Sequence, residues 1–385
     1  MEGVRCVAAA DATSAWASGA SVDGVRELTD DEARRMRLVA QGLHGQGLLG
    51  PGAGGSDRSP ADAVRHMVAL QGQDLPAVLR AIAIRSAPGT TLDDVRAAFD
   101  AGELVRSWAM RGTLFVAAPD DLAVLHAATG ERMRRQEWRM CEVRGIDHAT
   151  AELAADVLVD ALAAGPLARP AMLRAWEAAG IPTTAGRGYH LLALLAYDGL
   201  VRFGPFEGRE QLLVGGPRPP VADPEAALDG ALRRVVAARG PLDADDVAWW
   251  MGLPKTPVRA SLARAGALGP GLEQVRAAGR EMLIAPDAAP GDRSDVVLVP
   301  AFDELLLGYR DRSLLATADV LAAVVPGGNG VFRPLVVVDG AAVGTWRIPA
   351  PRSRASVEPV LEIVEPVTAT VRRRIDRALA AWPHR

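Results

Sequence analysis

Cysteine and lysine are nearly missing from this sequence: Cys6 and Cys141 are the two cysteines and Lys255 the single lysine among 385 residues. Two distant cysteines suit a reducing cytosol and offer no thiolate metal site. The six histidines are scattered without HxxxH spacing, so neither a metal nor any other cofactor is expected. Chemistry through a Schiff base needs an amine, and besides the N-terminus only Lys255 supplies one, in the turn before a predicted helix. No run of about 18 apolar residues occurs, which excludes a transmembrane helix and a membrane partner. The first residues lack a basic segment followed by an apolar one, so they read as a loose tail of a cytoplasmic protein and not as a signal peptide. There is no P-loop, no GxGxxG after a strand and no GxSxG.

What is present is an ordinary globular composition, 49% hydrophobic and 23% charged, with length for two or three domains. The net charge of −4 argues against a globally basic nucleic-acid binder. Nearly all the positive charge is arginine, which a GC-rich genome would also produce. Its rigid fork of donors nevertheless suits phosphate and base-edge contacts, so a local arginine-lined groove is compatible with an acidic protein.

Residues 1–25, rich in Ala, Ser and Gly, are expected to be a disordered tail. Thr29-Asp30-Asp31-Glu32 is a capping box that opens a helix. A Gly-rich linker follows, and Ser59-Pro60 starts a second helix. Further on, a helix precedes VRSWAM and TLFVAA, two strands about an Arg111-Gly112 turn. The clearest organisational signal is an internal repeat. Gly165-Pro166-Leu167 and Gly240-Pro241-Leu242 each follow a helix and precede one carrying tryptophan, Trp176 in one copy and Trp249 and Trp250 in the other. Each copy continues with another helix and a hairpin. Helix, helix, helix, hairpin is the winged-helix plan. The expected fold is therefore α+β: a first winged helix over 26–145, a second over 146–220, a third over 221–292, and a C-terminal barrel-like β domain with a terminal helix over 293–385. Val338-Asp339-Gly340-Ala341 is a hairpin signal within that last domain.

Four segments are candidates for chemistry. In Gln71-Gly72-Gln73-Asp74, an extended chain points both glutamines to one side, where two amides hold a water between them. A neutral amide is a feeble base, so such a pair suits a reaction whose leaving group is already activated; the plain alternative is a solvated helix end. Arg106 and Arg111, with Thr113 in the same hairpin, are placed to contact phosphates, or are simply exposed on a structural hairpin. In Pro300 to Arg312, adjacent Asp303 and Glu304 point apart, so pairing with arginine that fixes a loop is a better reading than a carboxylate dyad; Arg310, near the end of this segment, is a candidate DNA contact. Arg333 and Arg347, read as lying on paired strands, suit a hairpin entering a minor groove, or are surface charge on a sheet.

LQGQDLPAVLRAIAIRS, VRSWAMRGTLFVAAPDDL and LVPAFDELLLGYRDRS, in this order, resemble the AlkZ-like winged-helix DNA glycosylases, over most of the chain from Thr29 to the final helix. The resemblance implies a C-shaped arrangement of three winged helices with a C-terminal β domain, gripping duplex DNA that carries alkylated purines. It implies monofunctional excision of N7-alkylated purines, interstrand crosslinks included, with no lyase step, and a catalytic pair that falls on Gln71 and Gln73. It also implies self-resistance to a DNA-alkylating natural product. The chain departs from the family pattern at Gly72, where a larger aliphatic residue is usual, and at Phe115, where the family often has His. Nothing demands a dimer, so a monomer is expected. Because flipping a crosslinked base drags the opposite strand along, the lesion is expected to be approached within the duplex by a groove-inserted hairpin. The contrasting reading is a non-enzymatic winged-helix regulator, which would follow a DNA sequence where an enzyme follows a lesion. An interaction module that has lost DNA binding is the third.

Overall fold

The computed structural model describes residues 25–43, 57–216, 219–267, 271–292, 296–348 and 359–383. The expected N-terminal tail lies outside these residues except for Val25, as does most of the Gly-rich linker. β1 (Arg26–Glu27) leads into α1 (Asp30–Ala40), which begins at the predicted capping box: Glu32 N–H donates to the Thr29 hydroxyl at 3.2 Å, and Thr29 N–H donates to the Glu32 carboxylate at 2.8 Å.

Three units of like order follow. The first comprises α2 (Pro60–Met67), β2 (Leu70–Gln71), α3 (Leu75–Ala83), α4 (Leu92–Asp100), β3 (Val105–Met110) and β4 (Thr113–Ala117). The long α5 (Pro119–Val143) connects it to α6 (His148–Ala163), α7 (Arg169–Ala178), α8 (Arg187–Tyr197), β5 (Arg202–Glu207) and β6 (Glu210–Val214). The third has α9 (Pro224–Arg239), α10 (Ala244–Met251), α11 (Lys255–Ala267), β7 (Glu273–Ala277) and β8 (Arg280–Ile284). In each unit a short extended stretch after the first helix pairs with the second hairpin strand: Leu70 and Gln71 with Val116 and Phe115, Leu167 with Leu213, and Leu242 with Leu283. The Gly-Pro-Leu repeats thus mark a structural position, and Leu70-Gln71 occupies it in the first unit. The second unit's Trp176 is fully buried and donates from its indole nitrogen to the Ala154 carbonyl at 2.9 Å; its truncation to Ala is expected to cost roughly 3–5 kcal/mol.

The first two hairpins share one sheet, ordered β2-β4-β3-β5-β6, joined where Arg106 pairs with Phe203. Arg111 and Gly112 both have positive φ, 54° and 69°, the two-residue turn that matches the twist of a hairpin. The third hairpin extends differently: β1 adds to it in parallel, Arg26 opposite Val275. Ala33 and Met36 of α1 pack with Val275, Ala277 and Ile284, while Leu38 joins the core of the terminal domain. Residues 26–43 thus pack with the third unit and the terminal domain as well as with His66, Ile84 and Arg85 of the first unit. The sequence showed the helix cap, which is local, but not its strand partner some 250 positions away.

In the terminal domain β9 (Val296–Val299) precedes a short helix, α12 (Glu304–Leu307), and α13 (Ala318–Val324); β10 (Leu335–Val338), β11 (Ala341–Arg347), β12 (Val360–Ile363) and α14 (Ala369–Ala380) complete it. Among the described residues the strands form an antiparallel sheet ordered β12-β11-β10-β9, open and not closed on itself, so the barrel expected here is not the arrangement these strands make. Asp339 and Gly340, φ 49° and 85°, make the predicted hairpin turn. Ile375 and Leu379 of α14 are buried in the same core as β9 and β10.

Candidate active site

The segment before Gln71 is held under backbone strain. Val68, a β-branched residue, has φ of 64°, and Phe302, immediately before Asp303 and Glu304, has φ of 57°. Such conformations cost on the order of 1–3 kcal/mol each and persist only where the surroundings over-determine them. Here the surroundings are ionic. The fully buried Arg239 donates to the Met67 carbonyl at 2.8 Å and to the Ala69 carbonyl at 2.9 Å, bracketing Val68. The buried Glu304 carboxylate accepts from the Gln71 backbone N–H at 2.8 Å with one oxygen, and from the Trp250 indole at 2.9 Å and Arg239 at 3.2 Å with the other. Asp303 turns the opposite way, into a two-pronged pair with Arg85 at 2.8 Å for each oxygen. Arg85 also donates to Gln41, Gln41 to the Tyr309 hydroxyl, and Tyr309 to the Arg239 carbonyl. The two carboxylates point apart and each fixes a loop through arginine, as the sequence suggested. Their partners come from β2, the loop after α3, α9 and α10, which the sequence did not suggest.

On this foundation Gln71 and Gln73 lie along the start of β4. The Gln71 side-chain amide donates to the Thr113 hydroxyl at 3.3 Å, and its carbonyl accepts from Gln73 N–H at 3.2 Å. The Gln73 side-chain carbonyl accepts from Leu114 N–H at 3.4 Å. Gln71 is buried and Gln73 exposed. The structure therefore brings Gln71, Gln73 and Thr113 together, with one amide rooted in the protein and the other facing solvent. Gly72 donates its N–H to the Leu114 carbonyl at 2.7 Å, and a Cβ there would lie 3.2–3.3 Å from backbone atoms of Phe115 and Val116. Asp74 caps α3 through Ala77 N–H at 2.9 Å, so the chain turns into a helix directly after the pair.

Arg106 lies behind this segment and not on the open surface expected of a phosphate clamp. It is buried, donates to the Gly72 carbonyl at 2.6 Å, to the Gln73 carbonyl at 3.4 Å and to the Gln211 side chain at 3.3 Å, and stacks on Phe203. Desolvation pulls its pKa down to about 10, partly offset by Asp74. With its donors spent on the backbone carbonyls of the segment, it positions the glutamines. The sheet shared by the first two units delivers it there, a consequence of the Arg106–Phe203 pairing.

The other predicted contacts are spread out. Arg111 is half-buried, its guanidinium 4.4 Å from the centre of the Trp249 ring and 5.6 Å from that of Phe115. Arg310 pairs with Asp245 at 2.9 Å, and that carboxylate also receives Lys255. Arg347 ends β11, opposite Val360, whereas Arg333 precedes β10 instead of lying on a paired strand, and it reaches Glu362 at 3.4 Å. The structure brings Arg111 near the glutamines, against the ring of Phe115 that pairs with Gln71, and gathers none of Arg310, Arg333 and Arg347 there. Among the described residues, no group of three His, Cys, Asp or Glu is placed to hold a metal ion, and no helix is long and apolar enough to cross a membrane.

Two neutral amides beside a hydroxyl orient and polarise a small polar molecule but do not remove a proton from it with any force. The arrangement suits a reaction in which the leaving group departs unaided.

A family model described as DNA glycosylase AlkZ-like matches residues 64–383. An interstrand DNA cross-link repair glycosylase of Streptomyces sahachiroi is 26% identical over 317 residues, 75% of this chain and 82% of that protein. The solved structure of Streptomyces sahachiroi DNA glycosylase AlkZ superposes with a TM-score of 0.71 at 20% identity, covering 92% of this chain and 97% of that one.

Proposed function

The chain belongs to the AlkZ-like DNA glycosylase family, and from that premise we propose that it hydrolyses the N-glycosidic bond of N7-alkylated purines in duplex DNA, including bulky adducts and interstrand crosslinks. The observation that carries this reading is the pair of neutral amides, Gln71 and Gln73, converging on Thr113 and Leu114. An N7-alkylated purine is cationic. As its bond to C1′ breaks, the electron pair neutralises the purine and leaves an oxocarbenium-like sugar. The remaining task is to hold a water against C1′, and amides at this spacing suffice. Once the C–O bond has formed, the water's proton passes to solvent.

The three helix–hairpin units act in this reading as winged helices in a C-shaped arrangement around the duplex, with Arg111, Thr113, Arg310, Arg333 and Arg347 as the DNA contacts. The lesion is approached in the duplex, not through full extrusion of a base whose partner strand is covalently attached. The product is an abasic site without strand scission: the one lysine opens α11, paired with Asp245, and is not among the residues that hold Gln71 and Gln73. The protein works as a cytoplasmic monomer, in self-resistance to a DNA-alkylating natural product.

The test is excision from a duplex carrying one N7-methylguanine and, separately, an N7-linked interstrand crosslink, read by alkaline cleavage. Gln71→Ala and Gln73→Ala should each lower the rate by roughly 10²–10³, the loss typical of removing one positioned polar group. Because Gln73 is exposed, Gln73→Ala should do so with an unchanged melting temperature. Tight binding to a particular sequence with no excision of either lesion would favour a regulator.

A further inference from the structure

We infer that Arg111, Trp249 and Arg312 form a subsite beside Gln71 for one backbone phosphodiester of the lesion-bearing DNA, an inference that rests on the glycosylase reading and names a contact that reading leaves open. Both guanidinium groups lie against Trp249, Arg111 at 4.4 Å and Arg312 at 5.5 Å from the ring centre. Arg312 also lies 5.4 Å from the centre of the Phe332 ring, and its Nε donates to the Leu306 carbonyl at 3.2 Å. Arg111, Trp249, Arg312 and Phe332 are all half-buried, so the cluster opens at the surface.

The charge around this cluster does not balance. Among the described residues neither Arg111 nor Arg312 forms an ion pair, and the buried Nε of Arg111 has no hydrogen-bond partner. The carboxylate that acts on Arg111 is Glu304, which already serves Gln71, Arg239 and Trp250. Arg111 and Arg239 thus share one negative charge, and burial alone acts on Arg312. Desolvation lowers the pKa of Arg111 and of Arg312, and the neighbouring guanidiniums lower that of Arg111 further, the mark of cations held close without enough counter-charge. A phosphodiester supplies that charge with oxygens that match the forked donors, while the Trp249 face limits where the guanidiniums swing.

Position gives the contact a role in the chemistry. Arg111 is two residues before Thr113, whose hydroxyl receives the Gln71 amide. Unneutralised guanidiniums this close would oppose a positive charge developing on the sugar. A phosphate bound between them and the sugar removes that opposition and adds a negative charge beside the oxocarbenium. The subsite therefore couples correct seating of the strand to the electrostatics of bond cleavage.

The experiment uses the full chain and a duplex with a single N7-methylguanine, in which each phosphate flanking the lesion is replaced in turn by a neutral methylphosphonate. With the unaltered protein, one flanking position should lower affinity by roughly 10-fold. In Arg312→Gln that same position should become silent, and the slope of log K against log salt should fall by about 0.9, one phosphate contact. Arg312→Lys should retain the slope and lose part of the excision rate. An unaltered protein that excises the lesion yet shows no sensitive flanking phosphate overturns the subsite, whatever the stability of the variants. So does an Arg312→Gln protein that keeps the full slope and phosphate profile. Failure of the unaltered protein to excise any N7 adduct overturns the glycosylase reading instead, and the methylphosphonate profile still reports whether the phosphate is bound.

Discussion

The backbone amide of Gln71 and the carboxylate of Glu304, 233 positions apart, meet in a buried 2.8 Å hydrogen bond. Through it the terminal domain holds the first unit's candidate catalytic strand, and the carboxylate's second oxygen ties the same point to α9 and α10 by way of Arg239 and Trp250. Glu304→Ala should leave Arg239 buried without its partner and Gln71 N–H without an acceptor, a loss of about 3–5 kcal/mol. Glu304→Gln keeps the shape and one acceptor oxygen. It should fold with a reduced melting temperature and excise more slowly. Thermal unfolding and single-turnover excision, measured together, check both outcomes.

Arg106 separates positioning from phosphate contact. Its donors go to the Gly72 and Gln73 carbonyls and to Gln211. Arg106→Lys preserves charge but not the fork, so excision should drop about 10-fold or more, as expected when a reacting group shifts by a fraction of an ångström. The salt dependence of DNA binding should stay as it was. A shallower salt slope in this variant would show that Arg106 meets a phosphate after all.

Gly72 fits a close approach of β2 to β4. A methyl group there meets the Phe115 carbonyl carbon at 3.2 Å and Val116 N at 3.3 Å, main-chain atoms that have no rotamer by which to yield. Gly72→Ala should cost on the order of 1–3 kcal/mol. It should also slow excision several-fold by lifting both glutamines from β4. Equal melting temperatures for the two proteins would show that the strand gives way freely.

His66 sets a pH dependence of stability. Burial, aided by the charges of Arg58, Arg239 and Arg85 and opposed by the Ala40 carbonyl at 2.6 Å, lowers its pKa to about 4 from an ordinary 6.5. The folded protein therefore holds the neutral ring, while the unfolded chain takes up a proton as pH falls below 6.5. Stability is fully present above 6.5, declines as pH falls toward about 4, and levels below that. By pH 5 the loss amounts to about 2 kcal/mol at most. Melting curves at pH 7.5 and pH 5 should show a drop that His66→Gln largely abolishes; equal drops in the two proteins would assign it to other groups.

Features encoded within a few neighbouring residues were legible in the sequence. The Thr29 capping box, the Ser59-Pro60 helix start, the Arg111-Gly112 and Asp339-Gly340 turns and the Gly-Pro-Leu repeats each need only adjacent residues to specify them. The glutamine pair was visible as a spacing, and the resemblance gave it a role. What escaped depends on distant partners. That α1 serves the third hairpin, that Arg106 faces inward, and that Arg239 and Glu304 clamp the strand before Gln71 are consequences of packing between units. Trp249 read as part of a repeat. Its association with Arg111 and Arg312 arises because the first hairpin's turn and the terminal domain both reach α10.

Leu70 stands where Leu167 and Leu242 stand in the other two units, each paired with the fourth residue of its hairpin's second strand, and Gln71 is the next residue along. That pairing is a matter of main-chain atoms and is indifferent to the side chain carried. In the first unit three residues, Gln71 to Gln73, separate that leucine from the helix cap at Asp74, whereas Leu167 and Leu242 directly precede the caps Ala168 and Asp243. The glutamine pair is thus carried by a lengthened junction at one of three like mounts, and lengthening the junction after Leu167 or Leu242 is where a designer seeking a second active centre in this protein would begin.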